Sequence, residues 1–291
     1  MKGSILNITI FLLLQVRNIY LEETAVLIGG WYGTKVESYP CKLDVEDIDT
    51  DLDGLGATVY KGQMYYCGGY AYSLGKYRKS CWRNEAGSWR EVAEMNMERQ
   101  YFTMNSVGDI VLAVGGVVVR EHLDTIEQFD GTSWIILKDR LRSPRSNHCA
   151  VTISDSEIVL LGGYDGKIQA YVEKYHTLDG WTTLPNMLAA RSDHDCVLYG
   201  DEIVVAGGIT PNGGDSVEAL NLKTLEWRRL PSLQLSRDFV SMEVVNGDLM
   251  VFGGYGTEYS AEVFDGKEWR RVNLEEGHLY HSSVTMPCSE F

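Results

Sequence analysis

HCAVTI (148–153), EIVLLGG (157–163), QAYVEKY (169–175) and WTTL (181–184) follow one another with only short breaks, and their reading decides the fold. Each run is short and rich in β-branched and aromatic residues. Turn pairs such as Asp165-Gly166 and Asp179-Gly180 separate them, which is the pattern of successive antiparallel strands. We name these strands a to d, from first to last. The glycine pair that ends strand b occurs six times, at Gly29-Gly30, Gly68-Gly69, Gly115-Gly116, Gly162-Gly163, Gly207-Gly208 and Gly253-Gly254. Steps of 39, 47, 47, 45 and 46 residues separate the first glycines. Self-similarity at such a period means a repeat architecture.

Other positions recur in phase with the glycines. A mostly aromatic position follows each pair (Tyr39, Trp82, Phe129, Tyr175, Leu220, Phe264), usually two residues after a glutamate (Glu37, Glu127, Glu173, Glu218, Glu262). A tryptophan then closes the unit at Trp89, Trp134, Trp181, Trp227 and Trp269. The first unit departs from the pattern, since Tyr39 is followed by CKLDVEDIDTD without a tryptophan.

Double glycine, spaced aromatic and closing Trp resemble the kelch repeat from about Thr24 to Met286. A single four-stranded sheet cannot bury both faces, so units stack around an axis. The resemblance therefore implies an all-β, six-bladed propeller. The first unit opens directly at its strand b, AVLIGG, while the tail HLYHSSVTMPC aligns with RSNHCAVTI and RSDHDCVLY. The C-terminal strand is thus expected to become the innermost strand of blade one, which closes the ring and removes exposed sheet edges. One propeller domain over residues 21–288 is expected, as a monomer.

With 26 basic and 41 acidic residues, the chain carries a formal charge of −15. That balance disfavours nucleic acid and anionic membranes, which need clustered Lys and Arg, and favours basic partners. The acidic run Asp44–Gly54 lacks the spacing of an EF-hand loop and reads as a solvated loop rather than a calcium site. Residues 1–20 read as a signal peptide: one lysine precedes an apolar stretch of about ten residues, too short to span a bilayer. An apolar strand packed on the propeller, or a start lying within a longer gene product, are the alternatives. The only glycosylation sequon, Asn7-Ile8-Thr9, lies inside that segment.

Cys67 ends strand b of blade two and Cys81 lies on the adjacent strand c, close enough for a disulfide if the register agrees. This pattern, with Cys41 upstream, resembles secreted invertebrate kelch-repeat proteins and implies an extracellular location, with a cytoplasmic one as the alternative. Cys41 and Cys288 both fall in blade one and could staple the ring. Cys149 and Cys196 read as small buried core residues.

Catalytic motifs are missing: the sequence holds no G-x-S-x-G, P-loop, H-E-x-x-H or C-x-x-C. His148, His194 and His281 share one inner-strand position, and three imidazoles facing a channel would make a metal site. The same position holds Leu55, Phe102 and Val240 elsewhere, which favours packing. No cofactor and no metal are expected. Three residues before this position comes an arginine in four units, Arg99, Arg145, Arg191 and Arg237. They lie in the d-to-a loops, which emerge on the same face as the b-to-c loops. In kelch substrate adaptors equivalent arginines bind acidic peptides, so the resemblance implies a partner-binding ring of guanidiniums. Tying loops together by hydrogen bonds is the competing role. The ring is incomplete, with His278 in blade one and Leu52 in blade two. The b-to-c loops add Tyr70, Tyr72, Tyr164, Asp165, Asn212 and Tyr255, a recognition-type mixture.

A non-enzymatic protein- or peptide-binding module is therefore expected. A metal-dependent oxidase on a kelch-like propeller is the alternative, as is an intracellular scaffold related to actin binding or ubiquitin-ligase adaptors. Adaptor members carry BTB and BACK domains; none is expected here, because the repeats begin near Thr24.

Overall fold

The structure is a computed structural model and describes residues 22–31 and 33–288. The proposed signal segment lies outside the described residues. Five antiparallel sheets of four strands follow the repeat, and a three-stranded sheet makes blade one. Blade four shows the rule: strands Cys149–Ser154, Glu157–Leu161, Val172–His176 and Gly180–Leu184 pair in sequence order. Strand b is the buried heart of each blade; Val159, Leu160 and Leu161 are fully buried. Both faces of that strand pack against neighbouring blades, so its apolar run is continuous rather than alternating.

The six innermost strands contact one another in a closed circle. The C-terminal strand Ser282–Pro287 pairs antiparallel with Glu23–Ile28, Thr285 opposite Ala25, as the sequence led us to expect. Blade one ends there in three strands, because the segment after Val36–Tyr39 forms no outer strand. That acidic segment is the expected loop, with Asp44, Glu46, Asp47 and Asp49 exposed, but it is anchored to the propeller. Ile48 and Leu52 are buried, Asp47 accepts from Lys35 Nζ and Val36 N, and Trp89 Nε1 donates to Glu46 O at 2.8 Å.

Four of the five closing tryptophans tie seams in this way: Trp134, Trp227 and Trp269 donate to Ala93 O, Pro185 O and Pro231 O of the preceding blade. Their rings bury large apolar area while satisfying the one indole donor.

Every cysteine is in a disulfide. Cys67–Cys81 joins facing positions of strands b and c of blade two, and Cys41–Cys288 closes blade one across 247 residues of sequence. The expectation for Cys149 and Cys196 needs correction. They are buried, but they also bond each other, linking the innermost strands of blades four and five with Cα atoms 5.9 Å apart. These two strands meet across a seam rather than through a hydrogen-bonded ladder, so neither strand spacing nor register announces the pair.

Candidate binding face and the arginine series

The four arginines do not ring a mouth. Arg99, Arg145, Arg191 and Arg237 are at most 1% exposed and are the largest fully buried side chains among the described residues. Each meets the in-phase glutamate of its own blade: Arg99–Glu127 at 3.0 Å, Arg145–Glu173 at 2.8 Å, Arg191–Glu218 at 2.8 Å and Arg237–Glu262 at 3.0 Å. The partner-binding role is therefore corrected, and the competing role, tying loops together, is the one they perform.

The wiring explains why both residues recur. In blade six Arg237 Nη1 donates to Gly253 O at 2.7 Å and Ser260 O at 2.9 Å, while Nη2 donates to Ser260 Oγ. The amides of Gln234 and Leu235 donate to the Glu262 carboxylate at 2.6 and 3.1 Å. The main chain of the same arginine reaches the other way: Arg237 O accepts from Gly208 N of the preceding blade at 2.8 Å. Arg99, Arg145 and Arg191 repeat this bridge to Gly69, Gly116 and Gly163. One arginine thus fastens two glycine pairs in adjacent blades. The glycines are needed for this approach, since a β-carbon on Gly162 would sit 2.5 Å from Arg191 O. Burial strips the water from both charges of such a pair, so full hydrogen bonding is what makes it tolerable.

The recurrent histidine position is a packing site. His148 and His194 stand against Gly115 and Gly162 of the preceding blade, as Phe102 stands against Gly68 and Leu55 against Gly29. Burial pushes both imidazoles down to about 3, so they are neutral. Closely spaced potential metal ligands among the described residues comprise Glu22/Cys41/Cys288 and Cys149/Asp195/Cys196. Both sets contain sulfurs already committed to disulfides.

Two residues beyond each arginine position the backbone turns left-handed, at Gly54, Tyr101, Asn147, Asp193, Phe239 and Tyr280. Main-chain bonds run around this collar: Tyr101 N to Gly54 O, Asn147 N to Tyr101 O, Asp193 N to Asn147 O, Phe239 N to Asp193 O and Gly54 N to Tyr280 O, at 2.8 to 3.0 Å. The collar frames one mouth of a central channel of about 690 Å³. Positive φ at aromatic residues is uncommon, and no residue type announces it at Tyr101, Phe239 or Tyr280.

Rings and carboxylates occupy the place intended for guanidiniums. Phe239 and Tyr280 lie 4.0 Å apart between centroids, Tyr101 and Tyr280 5.6 Å, and Trp31 packs edge-on to Tyr280 at 5.8 Å. Asp53 is buried, and its Oδ2 accepts from Tyr101 Oη, Tyr72 Oη and Gln100 Nε2 at 2.8, 3.1 and 3.0 Å. Burial raises Asp53 to about 6 and Asp193 to about 7, and raises Asp238 as well.

Outside the collar lie the b-to-c loops. Of the residues singled out there, Tyr72, Tyr164 and Tyr255 are 46%, 40% and 63% exposed, and Asn212 is exposed too. Tyr70 is half-buried within a small hairpin, and Asp165 holds Ser143 Oγ at 2.7 Å. A broader series went unread: the residue after every glycine pair is large and apolar or aromatic, namely Trp31, Tyr70, Val117, Tyr164, Ile209 and Tyr255. In phase with the glycines, it was visible in the sequence.

The Kelch motif family model matches residues 145–188 and 190–234. Kelch-like protein 36 of Mus musculus is 27% identical over 208 residues, 61% of this chain and 33% of its own length. Kelch-like protein 15 of Homo sapiens is 23% identical over 63% of this chain and 35% of its own. Kelch repeat protein C2 of Vaccinia virus is 24% identical over 118 residues, 39% of this chain. The chain spans about a third or less of the length of these relatives. Among solved structures, that of YjhT superposes with a TM-score of 0.67 at 12% identity, covering 82% of this chain and 88% of that one. This likeness concerns the fold. The glycine pairs, the closed ring of six blades and these matches agree: the chain is a kelch-repeat protein.

Proposed function

We propose that the protein is a non-enzymatic binding module that docks a segment of a partner protein on its b-to-c loop face. What carries this reading is the exposed apolar side chains of that face. Trp31, Tyr72, Val119, Tyr164, Ile209 and Tyr255, one from each blade, are between 40% and 70% exposed. Isolated exposed apolar residues need no explanation, but six gathered on one end of a propeller make a recognition surface. Burial of the four arginines shifts recognition away from acidic peptides. Crosslinking followed by quantitative mass spectrometry tests the reading with wild type, a Tyr164→Glu/Tyr255→Glu variant, and an Asp109→Lys/Asp155→Lys variant of the opposite, a-to-b face. Partners lost only with the tyrosine variant are expected; identical capture by all three forms overturns the reading.

An extracellular setting is supported by the use of all six cysteines in three disulfides, since such bonds persist in oxidising compartments. Intact mass of protein expressed in eukaryotic cells is expected to show three intact disulfides in material recovered from the medium. Six free thiols in cell-retained protein would place it inside the cell.

A further inference from the structure

The collar is chemically lopsided. The residue just before each collar position pairs its backbone with the b-to-c loop; in blades two and six it is Asp53 and Asp238. These two blades flank blade one, which supplies Tyr280. Asp193 adds a third carboxylate from the collar of blade five. On the other side, blades three and four contribute the neutral Gln100, Ser146 and Asn147. Neither register holds a lysine or an arginine. Among the described residues none of the three aspartates has an ion pair, and the groups acting on them are hydroxyls, amides and one another. Asp53 is 1% exposed and one of its oxygens, Oδ1, has no hydrogen-bond partner. With Oδ2 already taken by Tyr72, Tyr101 and Gln100, Asp53 acts on the mouth through its charge rather than as an exposed acceptor, and all three carboxylates act electrostatically on Tyr280.

We propose that this side of the mouth holds one basic side chain, an arginine or lysine, of the partner segment, against the rings of Tyr280 and Phe239 and in the field of Asp193, Asp238 and the buried Asp53. The proposal rests on the reading of this face as a docking surface and names what is recognised there. Aromatic faces attract a cation beside them, more strongly where water is excluded, and a guanidinium or ammonium offers several donors to separated carboxylates. A bare metal ion fits less well. It needs its ligand atoms close together, and these three carboxylates are not among the tightly gathered donor groups of the described residues. The formal charge of −15 would draw a basic segment toward the molecule, while the collar selects where it docks.

The test uses a labelled Gly-Arg-Gly-Arg-Gly-Arg peptide at pH 8, with Gly-Gln and Gly-Glu peptides of equal length, followed by fluorescence polarisation. Binding of the arginine peptide alone is expected. Asp193→Asn/Asp238→Asn should weaken it at least tenfold. Asp109→Asn/Asp155→Asn, which removes the same charge from the opposite face, should leave it within twofold. Asp53→Asn, measured separately, should weaken it severalfold and covers the case in which the double variant does not fold. An equal loss in both double variants would reduce the effect to net charge and overturn the proposal. So would failure of the arginine peptide to bind. If tyrosine-dependent partner capture persisted despite that failure, the docking face would stand and the basic side chain would be excluded.

Discussion

In blade six, Arg237 and Glu262 join the d-to-a loop, the glycine pair and strand c through one buried network. In blade two the same positions are Leu52 and Ser80, and neither charge is present. There the pairing of the d-to-a loop with the b-to-c loop, which every blade has, is extended. Leu52–Asp53 pairs over two residues with Tyr70–Ala71, which pairs with Lys76–Tyr77, where blades three, four and five have single bridges at Gln100–Val117, Ser146–Tyr164 and Ser192–Ile209. Cys67–Cys81 then clamps strand b to strand c. Blade one is intermediate: Glu37 accepts from Glu275 N at 3.0 Å and His278 Nε2 lies 2.8 Å from it. The difference teaches that the buried glutamate is kept only where a cationic or hydrogen-bonding partner is kept with it, arginine in blades three to six and His278 in blade one, and that both are lost in blade two. A buried charge left alone is worse than none.

The largest effects should come from breaking such a pair. Arg99→Ala or Arg191→Ala is expected to cost about 3–5 kcal/mol, because each leaves a buried carboxylate unpaired; urea denaturation reads it. A blade-six copy of blade two, Arg237→Leu/Glu262→Ser, should cost less than Arg237→Leu alone. In blade two itself, Cys67→Ser/Cys81→Ser should cost about 3 kcal/mol by loop-closure entropy. Comparing denaturation of oxidised and reduced wild type checks this, since reduction should cost at least as much as the substitution.

A smaller effect separates the histidine-bearing seams from their apolar equivalents. His148 is held near 3, below its ordinary 6.5, so the unfolded chain takes up the proton first as pH falls. Its contribution is complete above about 6.5 and is lost progressively as pH falls toward 3. His148→Phe, copying Phe102, should therefore gain about 2 kcal/mol on wild type between pH 7 and pH 5. Parallel denaturation midpoints at the two pH values would show that the ring is not neutral and buried. Smallest of all, Tyr255→Ala on the exposed face should change stability by less than about 0.5 kcal/mol, while reducing partner capture.

Much of this molecule could be read from the chain because the repeat states its rule six times. Glycine pairs, seam tryptophans and closure by residues 282–287 each follow from phase alone. The arginines and glutamates were equally visible as two series. Their meeting was not, because the partners lie 25 to 28 residues apart. The joint absence at Leu52 and Ser80 was the available signal. The left-handed collar was legible only in part: Asn147 and Asp193 tolerate that backbone, whereas Tyr101, Phe239 and Tyr280 adopt it because loops on both sides fix their main chains.

A double-mutant cycle on Arg237 and Glu262, with Arg237→Met and Glu262→Gln singly and together, measures the coupling most directly. Urea unfolding should give a coupling energy of about 2–3 kcal/mol between the two sites, with partner binding at the b-to-c face retained by the double variant. Additive losses, or loss of binding without loss of stability, would contradict a structural role and return these arginines to the binding surface.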